Sequence, residues 1–286
     1  MGGIFWLASY PKSGNTWFRA FLHNLNSEND TPADINEIRT GSIASGRGWL
    51  DEVLGFDTSD LSQAEIERLR PEVYAWSSHE DEIGYHKIHD AYTLLPNGEP
   101  LVSRQGTLGA LYIVRNPLDV APSSANHMNC TIDQAITFMG DDEFSVARAH
   151  ASNQVRQRLL SWSGHVTSWV DAPGLKVEVV RYEDMLARPL ETFTRAAAFL
   201  ELSTESPRVE RAIQFSSYEE LSRQEDEGGF SERPDHTQKF FRRGEAGGWR
   251  DTLTPEQVKQ IIADHGAVMR RFGYLDDNDI PTEYPT

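Results

Sequence analysis

Ile4-Phe5-Trp6-Leu7-Ala8-Ser9-Tyr10-Pro11-Lys12-Ser13-Gly14-Asn15-Thr16-Trp17 passes from five apolar residues through a Pro/Lys/Ser/Gly turn into a helical pattern. It reads as a buried first strand, a tight turn and the start of a helix. Backbone N–H groups, a lysine and hydroxyls then converge where an anion can sit. The turn is P-loop-like in placement only. The nucleotide-triphosphate loop needs G-x-x-x-x-G-K-[ST], with lysine after the second glycine, whereas Lys12 precedes Gly14 and Ser9 and Tyr10 stand where glycine would be required.

Outward from that turn, the strand-then-helix order recurs. Leu108 to Val114 is followed by a helical pattern over Pro117 to His127, and Leu175 to Val180 by one over Leu190 to Leu200. The alternation predicts an α/β fold, a single domain whose central parallel sheet is flanked by helices, with ligands at the carboxyl ends of the strands. A long segment, residues 26 to 82, separates the first two units and holds 14 acids against four bases. One helix is expected there, from Ser62 to about Arg70, because Ser62 and Glu65 form a capping-box pair. Connections this long form lids or substrate walls, and Trp49, Phe56, Tyr74 and Trp76 make an acceptor-side role the expectation. The domain is read as residues 1–275, with an acidic, proline-bearing and loosely held tail at 276–286.

The bulk numbers narrow the function. The 286 residues carry 27 bases and 44 acids, a net charge of −17, which argues against nucleic acid or an anionic membrane as partner. One cysteine, Cys130, excludes an internal disulfide or a Cys-based metal cluster and fits a reducing compartment, with the cytoplasm as the expectation. The N-terminus lacks the basic region of a signal peptide, and the sequence has no apolar run long enough to span a bilayer.

Three further segments carry candidate chemistry. In Tyr85-His86-Lys87-Ile88-His89, a short strand would set Lys87 and His89 on one face, and a cation beside an imidazole lowers its pKa and keeps it neutral, the state a general base needs. A structural histidine at a strand end is the plain alternative, and a zinc site through His86 and His89 finds no further ligand cluster. Arg115, delivered by the second strand, and Ser123, two helical turns on, could grip a second phosphate, unless Arg115 pairs with Asp119. Lys239 to Arg250 is a glycine-bearing basic loop in an acidic protein. Arg242 and Arg243 offer forked donors matched to phosphate oxygens; a solvated surface loop is the alternative.

Together these segments resemble the PAPS-dependent sulfotransferases, which use 3′-phosphoadenosine 5′-phosphosulfate (PAPS). The family pattern Y-P-K-S-G-[TN]-T-W is matched by Tyr10 to Trp17, and K-T-H by Lys87-Ile88-His89. R-N-x-x-D-x-x-x-S is matched by Arg115, Asn116, Asp119 and Ser123, and Y-E-D-[ML] by Tyr182 to Met185. The closing R-K-G-x-x-G-[DG]-W-[KR] is matched by Arg242 to Arg250. The N-Thr form of the first motif and the acidic insertion look like bacterial members of the cytosolic type. Isoleucine replaces the frequent threonine before His89, Arg243 replaces lysine, and Gly248 replaces aspartate. The K-x-x-x-T-V-x-x-x-E dimerisation signature of the animal enzymes is not matched, because Arg250 to Lys259 carries Thr254-Pro255 and ends in lysine.

The resemblance implies that Lys12 meets the bridging oxygen of the leaving group, and Ser13, Gly14, Asn15 and Thr16 the 5′-phosphate, with Trp17 on adenine. It gives Arg115, Ser123, Arg242, Arg243 and Gly244 to the 3′-phosphate, and Tyr182, Ser216, Ser217 and Tyr218 to the nucleoside. His89 becomes the general base and Lys87 lies beside the transferred group. The implied donor is PAPS, the product 3′-phosphoadenosine 5′-phosphate (PAP), with no metal, and the partner a small or medium-sized hydroxyl acceptor. Two other classes stand beside it. A small-molecule kinase needs a Walker-type loop, which the order of Lys12 and Gly14 opposes, and an idle nucleotide-binding protein would have lost Lys12 or His89.

Overall fold

The computed structural model describes residues 2–38, 40–79, 81–146 and 153–283. Strand β1 (Gly3–Ser9) is buried along its whole length, as a continuous apolar run requires in a sheet covered on both faces. It leads into helix α1 (Asn15–Asn26). Helices α2 (Arg47–Leu54) and α3 (Gln63–Ser77) precede strand β2 (Ile83–Ile88). Strand β3 (Thr107–Val114), helices α4 (Pro117–Met128) and α5 (Ile132–Met139), the two-residue strands β4 (Ser145–Val146) and β5 (Gln157–Arg158), and helix α6 (Trp162–Val170) follow. Strand β6 (Val177–Arg181) runs into helices α7 (Tyr182–Ala187), α8 (Pro189–Phe199), α9 (Ser206–Phe215), α10 (Tyr218–Gly228) and α11 (Pro255–Arg271).

The fold is α/β, as the alternation implies. The central parallel sheet has the order β2-β1-β3-β6, and β1 pairs with β2 from Gly3 opposite Ile83 to Ala8 opposite Ile88. The chain therefore fills one side of β1 before returning on the other, which puts the topological switch at β1 and β3. Ligands in open α/β sheets gather beyond the carboxyl ends of such strands. Those ends carry the first motif, after β1, and Arg115, after β3.

Two compact units make up the chain. The first comprises Met1–Tyr10, Gly41–Tyr112 and Met139–Val179, the second Pro11–Thr40, Ile113–Phe138 and Val180–Thr286. In the first, Trp6, Tyr74, Trp162 and Trp169 are fully buried; in the second, Phe18, Phe21 and Phe193 close on one another, with ring centroids of Phe21 and Phe193 4.2 Å apart.

Three expectations are modified. The capping box at Ser62 and Glu65 is formed, but α3 continues past Pro71 to Ser77. Burial of Val73 and Tyr74 and the bidentate Arg70–Asp90 pair outweigh the hydrogen bond that proline removes. The acidic segment contains a second helix, α2, and is divided at residue 40: Ile35 packs with Ala20, Leu221 and Phe230 in the second unit, while residues 41–82 belong to the first. Of its four aromatics, Tyr74 is core and Trp49 stacks on His86 at 4.3 Å, whereas Phe56 and Trp76 are exposed. The tail is not loose over its described part, because Asp276 N–H donates to Ile280 O and Thr282 N–H to Tyr274 O.

Candidate active site

In the second unit the turn after β1 is shaped by two left-handed residues, Lys12 (φ 70°) and Gly14 (φ 101°). Gly14 is required twice over: its φ disfavours any side chain, and a Cβ there would stand 2.6 Å from the Tyr182 ring. The turn opens α1, which has no side-chain cap and no acidic residue in its first turn, so its positive end meets no carboxylate of its own. Ser13 is buried and its Oγ has no hydrogen-bond partner. A buried hydroxyl without a partner is costly, and a phosphate oxygen would satisfy it.

Arg115 is locked beside this turn. Its Nη1 donates to Lys12 O and its Nη2 to Glu245 O, both at 3.1 Å, while the guanidinium lies 4.1 Å over the Tyr182 ring. Nε is buried without a partner. The alternative pairing of Arg115 with Asp119 is not what Asp119 does: its carboxylate accepts from Gly247 N–H (2.8 Å) and Trp249 N–H (3.0 Å). Asp119 thus ties the basic loop to the start of α4. Ser123 lies two turns further along α4, half-buried.

The loop itself is braced at several points. Buried Glu225 accepts from the N–H groups of Phe240 and Phe241, and the Tyr218 hydroxyl donates to Arg242 O at 2.9 Å. Gly244 has φ 62°, and a Cβ would stand 2.3 Å from Tyr218. Arg242 and Arg243 are exposed, with Arg243 Nη1 donating to Gly248 O. Phe240 offers its face to Lys12 Nζ at 4.1 Å, which orients the ammonium. Trp17 meets Tyr182 and Phe193 edge-on, each at 5.6 Å, and its Nε1 is buried without a partner. Asn15 and Thr16 are buried in the first turn of α1. Ser216 and Ser217 are committed to the backbone instead: Ser216 Oγ donates to Ala212 O, and Ser217 caps α10 by accepting from Glu220 N–H.

The first unit holds Lys87 and His89. Strand β2 ends at Ile88, so His89 is placed not by strand pleat but by a hydrogen bond from Nδ1–H to Ser9 O at 2.8 Å. A carbonyl only accepts, so Nδ1 carries the proton and Nε2 the lone pair, the tautomer a base needs. Lys87, half-buried near the end of β2, accepts Ala44 N–H at its carbonyl. His86 is pinned between Trp49 and Ser42 O, and burial lowers its pKa. Among the described residues no group of three His, Cys, Asp or Glu could hold a metal ion.

Sequence reasoning passed over the residues that hold the motifs in place. Buried Glu183 accepts from Asn116 N–H and the Tyr274 hydroxyl, and its burial raises its pKa. Its signal was the glutamate of Tyr182-Glu183-Asp184-Met185. Glu225 and His165 stand in helices with no motif to mark them.

The sulfotransferase domain profile matches residues 4–273. The chain belongs to the sulfotransferase family. A cytosolic sulfotransferase of Arabidopsis thaliana (number 13) is 26% identical over 277 residues, 89% of this chain and 73% of that protein. A flavonol 3-sulfotransferase of Flaveria bidentis is 23% identical over 276 residues, 89% of this chain and 78% of that protein. Among solved structures, retinol dehydratase in complex with androsterone and the inactive cofactor PAP superposes with a TM-score of 0.62 and 18% identity, covering 96% of this chain and 83% of that one. No described helix is long and apolar enough to cross a membrane.

Proposed function

We propose that this sulfotransferase moves the sulfuryl group from PAPS to a hydroxyl of a small or medium-sized organic acceptor. The observation that carries the reading is the turn at Lys12–Gly14, where an uncapped helix start, the partnerless buried Ser13 hydroxyl and the anchored Arg115 offer donors to an anion. Ser13 to Thr16 would hold the 5′-phosphate, and Arg115, Ser123, Arg242, Arg243 and Gly244 the 3′-phosphate. Trp17, Tyr182 and Tyr218 would border the nucleoside. Ser216 and Ser217 would contribute through the turn they cap.

When bound, PAPS supplies an activated sulfuryl group, and its transfer develops charge on the leaving and equatorial oxygens, so catalysis is mainly positioning and cationic stabilisation. Lys12 would supply charge at the leaving oxygen and Lys87 at the transferred group. His89 Nε2 would take the acceptor's hydroxyl proton. The lysines and arginines do the work that magnesium does in kinases. An acceptor of modest size is supported by relatives named for a flavonol and crystallised with androsterone. A cytoplasmic setting is supported by the single cysteine and by relatives named cytosolic.

The test is thermal stability in EDTA. PAP should raise Tm, because a ligand that binds only the folded state stabilises it, and AMP, lacking the 3′-phosphate, should do so far less. Stabilisation by ATP with Mg²⁺ but not by PAP would overturn the reading in favour of a kinase. Screening phenol, sterol and sugar hydroxyls with labelled PAPS then identifies the acceptor class.

A further inference from the structure

His89 is one member of a hydrogen-bond circuit that starts and ends on a single peptide group. Its Nδ1–H donates to Ser9 O. Its own carbonyl accepts from His165 Nε2–H at 3.0 Å. Because that nitrogen must donate, His165 Nδ1 must accept, and it does so from the Tyr112 hydroxyl at 2.8 Å. Tyr112 Oη in turn accepts from the backbone N–H of Tyr10. Ser9 C=O and Tyr10 N–H belong to the same peptide, the last before the chain enters Pro11 and Lys12.

The Ser9 hydroxyl also lies 3.3 Å from His89 Nδ1, but the Ser9 carbonyl, closer at 2.8 Å, can only accept, and that sets the direction of the circuit. Tyr112 and His165 are fully buried, so no water competes for their polar atoms. Burial pushes His165 down to about 4 and raises Tyr10 and Tyr112, so all three stay neutral near pH 7. The same face of α6 grips the residues that follow: Trp169 Nε1 donates to Asp90 O at 2.9 Å, and Ser168 Oγ accepts Tyr92 N–H at 3.0 Å. Helix α6 therefore holds the backbone of residues 89, 90 and 92 through His165, Trp169 and Ser168, one turn of side chains.

We propose that His165 and Tyr112 are positioning residues for His89, fixing its backbone so that its imidazole stays in the Nδ1–H tautomer with Nε2 as the base. The inference rests on the reading of His89 as general base and goes beyond it by assigning two fully buried residues to its support.

Imidazole nitrogen NMR of the full-length protein tests the placement without any acceptor, with the His89 signals assigned by their loss in His89→Ala. The wild-type His89 should be the Nδ1–H tautomer, and His165→Leu should mix the tautomers while PAP still stabilises the protein. With the acceptor found in the screen, His165→Leu should lower kcat about 10- to 100-fold, the scale of a small misplacement of a catalytic group, with the PAPS KM little changed. His165→Gln, which retains a donor near the Nε2 position, should recover most of that loss. Tyr112→Phe, which deletes one oxygen, provides the same test if His165→Leu does not fold. A wild-type Nε2–H tautomer, unchanged His89 signals and kcat in the folded variants, or His165→Gln as slow as His165→Leu would overturn the proposal. In a His89→Ala background, His165→Leu should cause no further loss; a further loss of equal size would show that His165 acts elsewhere. Full turnover by His89→Ala alone would sink the base reading while leaving the NMR result standing, so the two failures are distinguishable.

Discussion

The Lys12–Gly14 turn of the second unit and the His89 circuit of the first handle their polar atoms in opposite ways. Around the turn, Ser13 Oγ, Trp17 Nε1 and Arg115 Nε are buried without partners. Around His89, Ser9, His165, Tyr112 and the Tyr10 N–H donate and accept in a closed ring. Unsatisfied donors cost stability, and an anion held at the turn would relieve that cost. A satisfied ring does the reverse, because it stabilises the free protein and fixes one side chain before any substrate is present. On the proposed roles, binding and positioning leave different signatures in the hydrogen bonding.

The largest break in that comparison should come from His89→Ala. Turnover should fall by roughly 10²–10⁴, the usual worth of a general base, with PAP affinity within a few-fold of wild type. A calorimetric titration with PAP beside single-turnover kinetics checks both halves. Retained turnover would move the base to another histidine.

Next is the ion pair adjoining the circuit. Arg70 and Asp90 are buried, joined by bonds of 3.0 and 2.6 Å, and Asp90 also accepts Arg158 N–H. Removing one partner leaves the other charge buried alone, so Asp90→Ala should cost about 3–5 kcal/mol in urea unfolding. A cost below about 1 kcal/mol, the level of an exposed pair, would mean that the site carries no buried-charge penalty.

The third test is pH. His165 titrates at about 4 in the folded protein against an ordinary 6.5. Its folded pKa is depressed, so the unfolded chain binds the proton first as pH falls. Its contribution is fully present above pH 6.5 and is lost between about 6.5 and 4, a change on the order of 3 kcal/mol. His165→Gln should flatten that part of the stability profile. An equally steep profile in the variant would assign the acid sensitivity to other groups.

The smallest effects sharpen the contrast most. Ser13→Ala removes a hydroxyl that has no partner, so the free protein should keep its stability within about 0.5 kcal/mol, while PAP affinity drops by the roughly 1.5–3 kcal/mol of a bond to a charged group. Tyr112→Phe should do the opposite, costing about 1–3 kcal/mol of stability through the donors and acceptors it strands while sparing PAP affinity. If both variants lost stability alike and affinity alike, the distinction between the two regions would fall.

How much of this the sequence carried depended on whether an interaction was local. The turn at Lys12–Gly14 was legible because strand, turn and helix start are consecutive, and the backbone supplies the donors whatever surrounds them. The capping box at Ser62 and Glu65 was legible for the same reason. The end of α3 was not, since Pro71 stops a helix by local rules and only the burial of Val73 and Tyr74 overrides them. The use of Asp119 was hidden too: its nearest cation in sequence is Arg115, yet its carboxylate reaches Gly247 and Trp249.

By itself, then, the sequence determined the parallel α/β order, the strand-turn-helix at Lys12–Gly14, the family and the identity of His89 and Lys12 as candidates, all written in short contiguous motifs. Only the tertiary structure decided the tautomer of His89, the partners of Asp119, Glu183 and Glu225, and the division of the acidic segment. Each of those depends on groups brought together from distant positions, as His165 is to His89 across 76 residues. A hydrogen bond between buried groups takes its direction from every other partner each group has, and no single stretch of chain contains that set.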